Sequence, residues 1–138
     1  CYMDGSVRDW QHKWYTAGKN WPSTGAFGPW MVTPDEVGDP QNLSIKTWLN
    51  DRLVQDDTTA NMIHTIPQII AYISTFTQLS PGDVIMTGSP GGVGKTRVPP
   101  LFLHENDKIE VEIENIGRLT NMIVNEPLSE IAHSKTAA

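Results

Sequence analysis

Near the start of the chain, an acid, a guanidinium and an amide occur at a spacing that could place them side by side. If Ser6 to Trp14 forms a helix, then Asp4, Arg8 and Gln11 fall at i, i+4 and i+7 and project toward one side. A carboxylate beside a cation is the smallest set that can hold a divalent metal ion and a carboxylate-bearing substrate together. Taken alone, the pattern favours a plainer alternative, an ion pair on a solvated helix face.

A glycine-rich segment has the ending of a phosphate-binding loop but lacks its other requirements. Residues 91–96 end in Gly-Lys-Thr after an apolar run, as such loops do. The position that needs the first glycine is Ser89, and the paired prolines Pro99 and Pro100 oppose the helix that must follow. Nucleotide hydrolysis is therefore not predicted.

Two further patterns that could bind metal have simpler explanations. Glu110, Glu112 and Glu114 share one face of a predicted strand, where carboxylates two residues apart could grip a hard cation. Because the opposite face is cleanly apolar, a solvated hairpin face explains the pattern fully. The histidines have no zinc-type spacing; they are His12, His64, His104 and His133.

The elements that must position these residues are mostly strands. Alternation from Leu43 to Leu49, followed by Asn50-Asp51, predicts a hairpin, and the pattern from Ile109 through Gly117 to Val124 predicts a second. Residues 83–86 form an apolar run that predicts a buried strand. Five apolar side chains share one face of a predicted helix with capping-box spacing at Thr65 and Gln68: Ile66, Ile69, Ile70, Ile73 and Phe76. The sum is a mainly β (α+β) domain over residues 1–126 and a tail over 127–138.

Composition excludes some classes of function. The formal net charge of the 138 residues is −6 and no basic stripe is present, so no nucleic-acid partner is expected. No apolar stretch approaches the roughly 20 residues that span a bilayer, and no basic-then-apolar pattern is visible that would predict a secretion signal. A single cysteine, Cys1, suits a reducing compartment, which favours the cytoplasm. Because the chain starts with Cys1 in what reads as a strand already in progress, we expect a fragment of a longer protein.

Several segments, in the same order and along nearly the whole chain, resemble one family, the fumarylacetoacetate hydrolases. Residues 4–11 are similar to the family's N-D-V-S-A-R-D-x-Q signature, and residues 14–20 to its W-x-x-G-K-S segment. Residues 28–30 and 39–43 resemble its G-P-W and D-P-x-x-L region, and residues 50–55 its N-G-E-x-x-Q hairpin. Residues 82–94 closely resemble G-D-V-I-L-T-G-T-P-x-G-V-G, which also accounts for the apparent phosphate loop.

The resemblance implies a fold, a chemistry and a set of roles. The fold is a mixed β-sheet roll or partly open barrel with one or two short helices, usually in a homodimer. The cofactor is Mg²⁺ (or Mn²⁺ or Ca²⁺), which polarises the carbonyl of a small anionic 2-oxo acid, such as an acylpyruvate or a 2-oxo-dienoate. The reactions are C–C bond cleavage, decarboxylation or isomerisation, in aromatic-compound or amino-acid catabolism. By position, Asp4 corresponds to a metal ligand, Lys19 to the catalytic lysine, and Arg8, Gln11, Lys19 and Thr87 to substrate contacts.

One departure from the family pattern leaves two hypotheses open. The family's other metal ligands are two glutamates in an E-x-E pair upstream of the Asp4 signature, and no residue here corresponds to them. Glu110 and Glu112 have that spacing but the wrong place in the order. Either the chain is part of a longer enzyme, or it is a truncated, inactive domain that dimerises without binding metal.

Overall fold

The structure is a computed structural model that describes residues 1–11 and 13–126. Two antiparallel sheets are present in this part of the chain. The smaller pairs β1 (Tyr2–Asp4) with β2 (Gly25–Phe27), and the larger has the order β4-β3-β5-β6, built from β3 (Ser44–Leu49), β4 (Arg52–Thr58), β5 (Lys108–Ile113) and β6 (Gly117–Met122). The helices are α1 (Pro34–Val37) and α2 (Ile66–Ile73). The predicted mainly β class with one or two short helices is confirmed, and the sheets do not close into a barrel.

The first predicted hairpin is confirmed in position and in turn chemistry. β3 and β4 pair antiparallel around Asn50 and Asp51, whose φ angles are 50° and 65°. Positive φ at both central residues defines the tight turn whose twist matches that of the flanking strands, and Asn and Asp tolerate it. The register then shifts between Thr47 and Trp48, because Thr47 pairs with Gln55 while Trp48 pairs with Leu53. Val54 is therefore the extra residue of a β-bulge.

The second hairpin, β5 and β6, places its apolar face in the core. β5 lies between β3 and β6, with Thr47 opposite Val111 and Val111 opposite Leu119. The buried hydrophobic side chains are few and cluster on this sheet and its flanks: Val37, Leu43, Leu49, Ile109 and Val111. The chain thus has a small core centred on the larger sheet.

The interpretation of the glutamate face as fully solvated is wrong for Glu110, whose residue is only 8% exposed. Its carboxylate accepts a hydrogen bond from the Thr120 hydroxyl at 3.3 Å and pairs with Lys108 at 3.3 Å and Arg118 at 3.7 Å. The Arg118 guanidinium also lies over the Trp48 ring, 4.1 Å from its centroid. Cross-strand side chains cover the acid, and alternation along one strand does not reveal such neighbours.

Helix α2 begins as predicted. The Thr65 hydroxyl accepts from the Gln68 N–H at 3.4 Å, and the Gln68 side chain accepts from the Thr65 N–H at 2.9 Å, a complete capping box. The helix ends at Ile73, before Phe76. None of its residues is buried, so its apolar face lies open on this chain.

Removing the Thr65 hydroxyl should loosen the start of α2. We expect Thr65→Ala to lower the free energy of unfolding by about 1 kcal/mol, because the Gln68 N–H loses its acceptor. Urea unfolding followed by circular dichroism measures the change, and Thr65→Ser, which retains the oxygen, is the matched control. Equal stability of the alanine and serine variants would contradict the cap's contribution.

Two predicted elements are wrong. Residues 83–86 are not a strand: in the described part of the chain no segment pairs with them, and Val84 and Met86 are 65% and 58% exposed. A strand needs a partner for its N–H and C=O groups, and an apolar run does not supply one. The helix over 6–14 is also wrong: in the described residues of that range the helical part is a 3₁₀ turn at Arg8–Trp10, because Val7 before it is extended and gives its N–H to the Gly18 carbonyl.

Three sequence predictions lie partly or wholly outside the described residues: the tail 127–138 and the environments of His12 and His133. No helix of the described residues is both long enough and apolar enough to cross a bilayer.

Candidate functional site

Strand β1 delivers Asp4 to the candidate site. Its pairing with β2 sets Asp4 opposite Gly25 and Met3 opposite Ala26. Gly5 follows at a point of very close approach, where an added Cβ would lie 1.8 Å from the Thr24 carbonyl oxygen. Only glycine fits there without moving the backbone. The carboxylate is thus held at the end of a short, tightly packed ribbon.

Lys19 reaches the same place from a 3₁₀ turn at Thr16–Lys19. The turn packs through Gly18, whose added Cβ would lie 2.2 Å from the Gln11 Cγ and 2.6 Å from the Val7 carbonyl oxygen. The Val7 N–H donates to the Gly18 carbonyl at 2.9 Å. This docking places the next residue, Lys19, with its ammonium in direct contact with Asp4 Oδ2.

Two hydroxyls complete the cluster around Asp4 and Lys19. The Ser6 Oγ accepts from Lys19 Nζ at 3.3 Å, and the Ser89 Oγ donates to Asp4 Oδ2 at 3.4 Å. Ser89 comes from a distant loop and was missed as a site residue from the sequence. The available signal was its place in the glycine-rich segment, two residues after Thr87. Thr87 is exposed, and of the two it is Ser89 whose hydroxyl reaches Asp4.

Arg8 and Gln11 are brought together, but by a 3₁₀ turn and not by the expected helix. Arg8 Nη1 donates to Gln11 Oε1 at 2.7 Å, and Gln11 Nε2 donates to the Tyr15 carbonyl at 3.2 Å. Gln11 is buried, at 7% exposure, while Arg8 is half-buried. Both the oxygen and the nitrogen of the Gln11 amide are therefore hydrogen-bonded within the chain. The bond from Arg8 orients the Arg8 guanidinium.

The acid–lysine pair is open to a ligand. The side chains of Asp4 and Lys19 are each 32% exposed. Two concave surfaces lie elsewhere, one lined in part by Asp57 and Glu114 and the other in part by Trp30 and Glu112. Neither is lined by the acid–lysine pair.

The chemistry of Asp4 fits one ligand of a hard divalent ion, since such ions take carboxylate oxygens. Both hydrogen-bond donors go to Oδ2, and no donor in the described residues reaches Oδ1. A complete ligand set is not present within residues 1–11 and 13–126, where no cluster of three or more His, Cys, Asp or Glu side chains could hold an ion. Asp4 therefore fits as one ligand of a larger set.

The end of β1 therefore brings an acid, a lysine and two hydroxyls together in an antiparallel β domain. The pattern of the family described as fumarylacetoacetate (FAA) hydrolase C-terminal matches residues 1–124. The chain belongs to this family, and the resemblance found in the sequence is confirmed.

Individual relatives are enzymes of organic acids. A mitochondrial oxaloacetate tautomerase of Rattus norvegicus is 40% identical over 124 residues, which cover 88% of this chain and 40% of the rat protein. The structure of a fumarylacetoacetate hydrolase from psychrophilic Exiguobacterium antarcticum matches with a TM-score of 0.85 at 37% identity, over 89% of this chain and 45% of that one. A maleylpyruvate hydrolase from Sphingobium sp. SYK-6, in complex with manganese(II) and pyruvate, matches at 0.71 and 35%, over 80% and 39%. The chain spans less than half the length of each.

Proposed function

We propose that this chain is the C-terminal catalytic portion of a metal-dependent hydrolase, lyase or isomerase of small anionic 2-oxo acids. The observation that carries the proposal is the contact of Lys19 with Asp4, with the Ser6 and Ser89 hydroxyls on the same pair. An acid that can hold a cation, next to an ammonium that can neutralise an oxyanion, suits a substrate that gains negative charge on oxygen. The rat and Sphingobium relatives, named for oxaloacetate and maleylpyruvate, support this substrate class.

The substrate would be an acylpyruvate or a 2-oxo-dienoate dicarboxylic acid. Arg8 would contact a substrate carboxylate through the guanidinium nitrogens that Gln11 leaves unused, since guanidinium binds carboxylates in two-point fashion. Gln11, with its amide engaged, would hold Arg8 in place and contact substrate only after rearrangement. Thr87 would approach from the loop that also carries Ser89.

A bound divalent ion, Mg²⁺ or alternatively Mn²⁺ or Ca²⁺, would supply Lewis acidity toward the substrate carbonyl. Asp4 would hold it through Oδ1, while Lys19 remains on Oδ2. The remaining carboxylate ligands would be two glutamates outside this sequence, in the part of the relatives that this chain does not span. The manganese(II) and pyruvate held by the Sphingobium relative support this assignment.

The role of Lys19 is the same for each reaction of the family. Hydrolytic C–C cleavage, decarboxylation and tautomerisation of a 2-oxo acid all develop negative charge on the oxygen at position 2. The ammonium of Lys19 would stabilise that charge. Ser6, which accepts from Lys19, would keep the ammonium aimed.

We also propose a homodimer and a cytoplasmic location. Exposed large apolar side chains, such as Phe27 at 72%, Trp30 at 64% and Met31 at 94%, support contact with further protein. The single cysteine supports a reducing compartment, although the rat relative is named as mitochondrial.

A substrate panel tests the function directly. The complete protein that contains this chain should turn over at least one of oxaloacetate, an acylpyruvate and 2-oxohept-3-ene-1,7-dioate when Mg²⁺ or Mn²⁺ is supplied, and chelation with EDTA should remove the activity. Ultraviolet absorbance of the enol and keto forms follows the reaction. Absence of turnover with every substrate and both metals would contradict the proposal.

A second candidate is favoured by the incomplete ligand set of the described residues. In that case the 138-residue chain would be a truncated domain that folds and dimerises but binds no metal. The mass of the purified polypeptide and a calorimetric titration discriminate the two. A polypeptide mass well above 15.3 kDa, together with metal binding, supports the enzyme. A polypeptide mass that agrees with 138 residues, without detectable Mg²⁺ or Mn²⁺ binding, supports the domain.

A further inference from the structure

The β-bulge in β4 has a use beyond bending the strand. Val54 is the unpaired extra residue, and its carbonyl accepts a hydrogen bond from Arg97 Nη2. A bulge releases one backbone group from the ladder and makes it available to another segment. Here the segment is the glycine-rich loop over residues 87–97.

Two side chains hold consecutive carbonyls of this loop. Gln55 Nε2 donates to the Pro90 carbonyl at 3.1 Å and to the Gly91 carbonyl at 3.0 Å. Arg97 Nε donates to the Gly92 carbonyl at 3.0 Å. Gln55 and Arg97 are both half-buried. Their bonds to the Pro90 and Val54 carbonyls are partly buried, whereas those to the Gly91 and Gly92 carbonyls are exposed.

The loop also lies very close to the bulge. An added Cβ on Gly92 would be 3.2 Å from the Val54 carbonyl oxygen and 3.1 Å from Arg97 Nη2, and the residue has a φ of +88°. Both the space and the backbone conformation favour glycine there. Residues 83–86, which precede the loop, pair with no strand of the described chain. No ladder of backbone hydrogen bonds therefore holds the start of the loop, and side-chain contacts have to fix its position.

We propose that Gln55 and Arg97 form a bulge clamp, defined by these two residues, that positions Ser89 against Asp4. Ser89 directly precedes the first clamped carbonyl, and its hydroxyl is 3.4 Å from Asp4 Oδ2. The two are positioning residues, since their described contacts are with the loop and the bulge. The inference rests on the proposed function for its effect on turnover, but the clamp itself is a statement about the loop.

If the clamp positions Ser89, then removing either clamp residue should lower turnover because Ser89 is displaced. In the complete protein, Gln55→Met and Arg97→Met should each lower kcat by about 10- to 100-fold while metal affinity and KM change little, as for supporting residues that orient a site. Arg97→Lys, which keeps one donor nitrogen in place of the two that Arg97 uses, should recover part of the loss. In a Ser89→Ala background the Gln55→Met loss should disappear, because the positioned group is already absent. Full additivity of the two losses would overturn the proposal.

A measurement independent of activity separates this proposal from the proposed function. Hydrogen exchange of the amides in residues 88–94 should accelerate at least tenfold in Gln55→Met and in Arg97→Met, and stay at the wild-type rate in the matched controls Gln78→Met and Arg52→Met, whose side chains are exposed. Unchanged exchange in the two clamp variants would overturn the clamp even in an active enzyme. If the wild-type protein turned over none of the 2-oxo acids, the proposed function would be wrong. The hydrogen-exchange rates would still show whether Gln55 and Arg97 hold the loop.

Discussion

Replacing Asp4 with asparagine is expected to weaken Mg²⁺ or Mn²⁺ binding to the complete protein by at least about 100-fold and to remove turnover at ordinary metal concentrations. Substitution of a group that only supports a ligand already costs about 10- to 100-fold in affinity, so loss of a charged ligand costs more. Asparagine keeps the shape of the side chain and an oxygen that can accept from Lys19 and Ser89. The loss therefore reports on charge at the cation and not on collapse of the cluster.

Calorimetric titration without substrate measures the affinity for the metal. Turnover at saturating metal measures the activity that remains once the ion is bound. Asp56→Asn is the matched control, because Asp56 is an exposed acid on β4 outside the cluster. It should bind metal as the wild type does. Retention of wild-type metal affinity in the Asp4→Asn protein would show that this carboxylate holds no ion.

Replacing Lys19 with methionine should have the opposite signature. We expect kcat to fall by about 100- to 1,000-fold, the usual consequence of removing one group that stabilises an oxyanion. Metal affinity should hold or increase, since an ammonium in contact with the ligand carboxylate repels a second cation. Methionine preserves most of the length and apolar stem of the side chain, so packing around the turn at Thr16–Lys19 changes little.

The control for Lys19 is Lys13→Met, which removes an exposed ammonium from the same segment. That variant should keep both kcat and metal affinity. If Lys19→Met turned over substrate at the wild-type rate, the ammonium would have no catalytic role. If it lost metal in parallel with activity, Lys19 would be supporting the acid and not the developing oxyanion.

Elements governed by residues close in sequence were predictable. Asn50 and Asp51 adopt the positive φ values that their side chains tolerate, and period-two alternation on either side of them sets the strands. Thr65 and Gln68 close the capping box because both partners lie within one turn of helix. The family could likewise be identified from short motifs in order. Each of these features depends on a few residues that are close together in the sequence.

Contacts between distant residues were decided by the tertiary structure. Asp4 and Ser89 are 85 positions apart, and only the tertiary structure brings the Ser89 hydroxyl to the Asp4 carboxylate. Glu110 is buried by side chains from neighbouring strands, which alternation within its own strand cannot show. Residues 83–86 lack a strand for want of a partner, although their composition suits one. The sequence by itself thus determined the local turns, caps and family, whereas the approach of an acid, a lysine and a serine depends on backbone packing that local propensity does not encode.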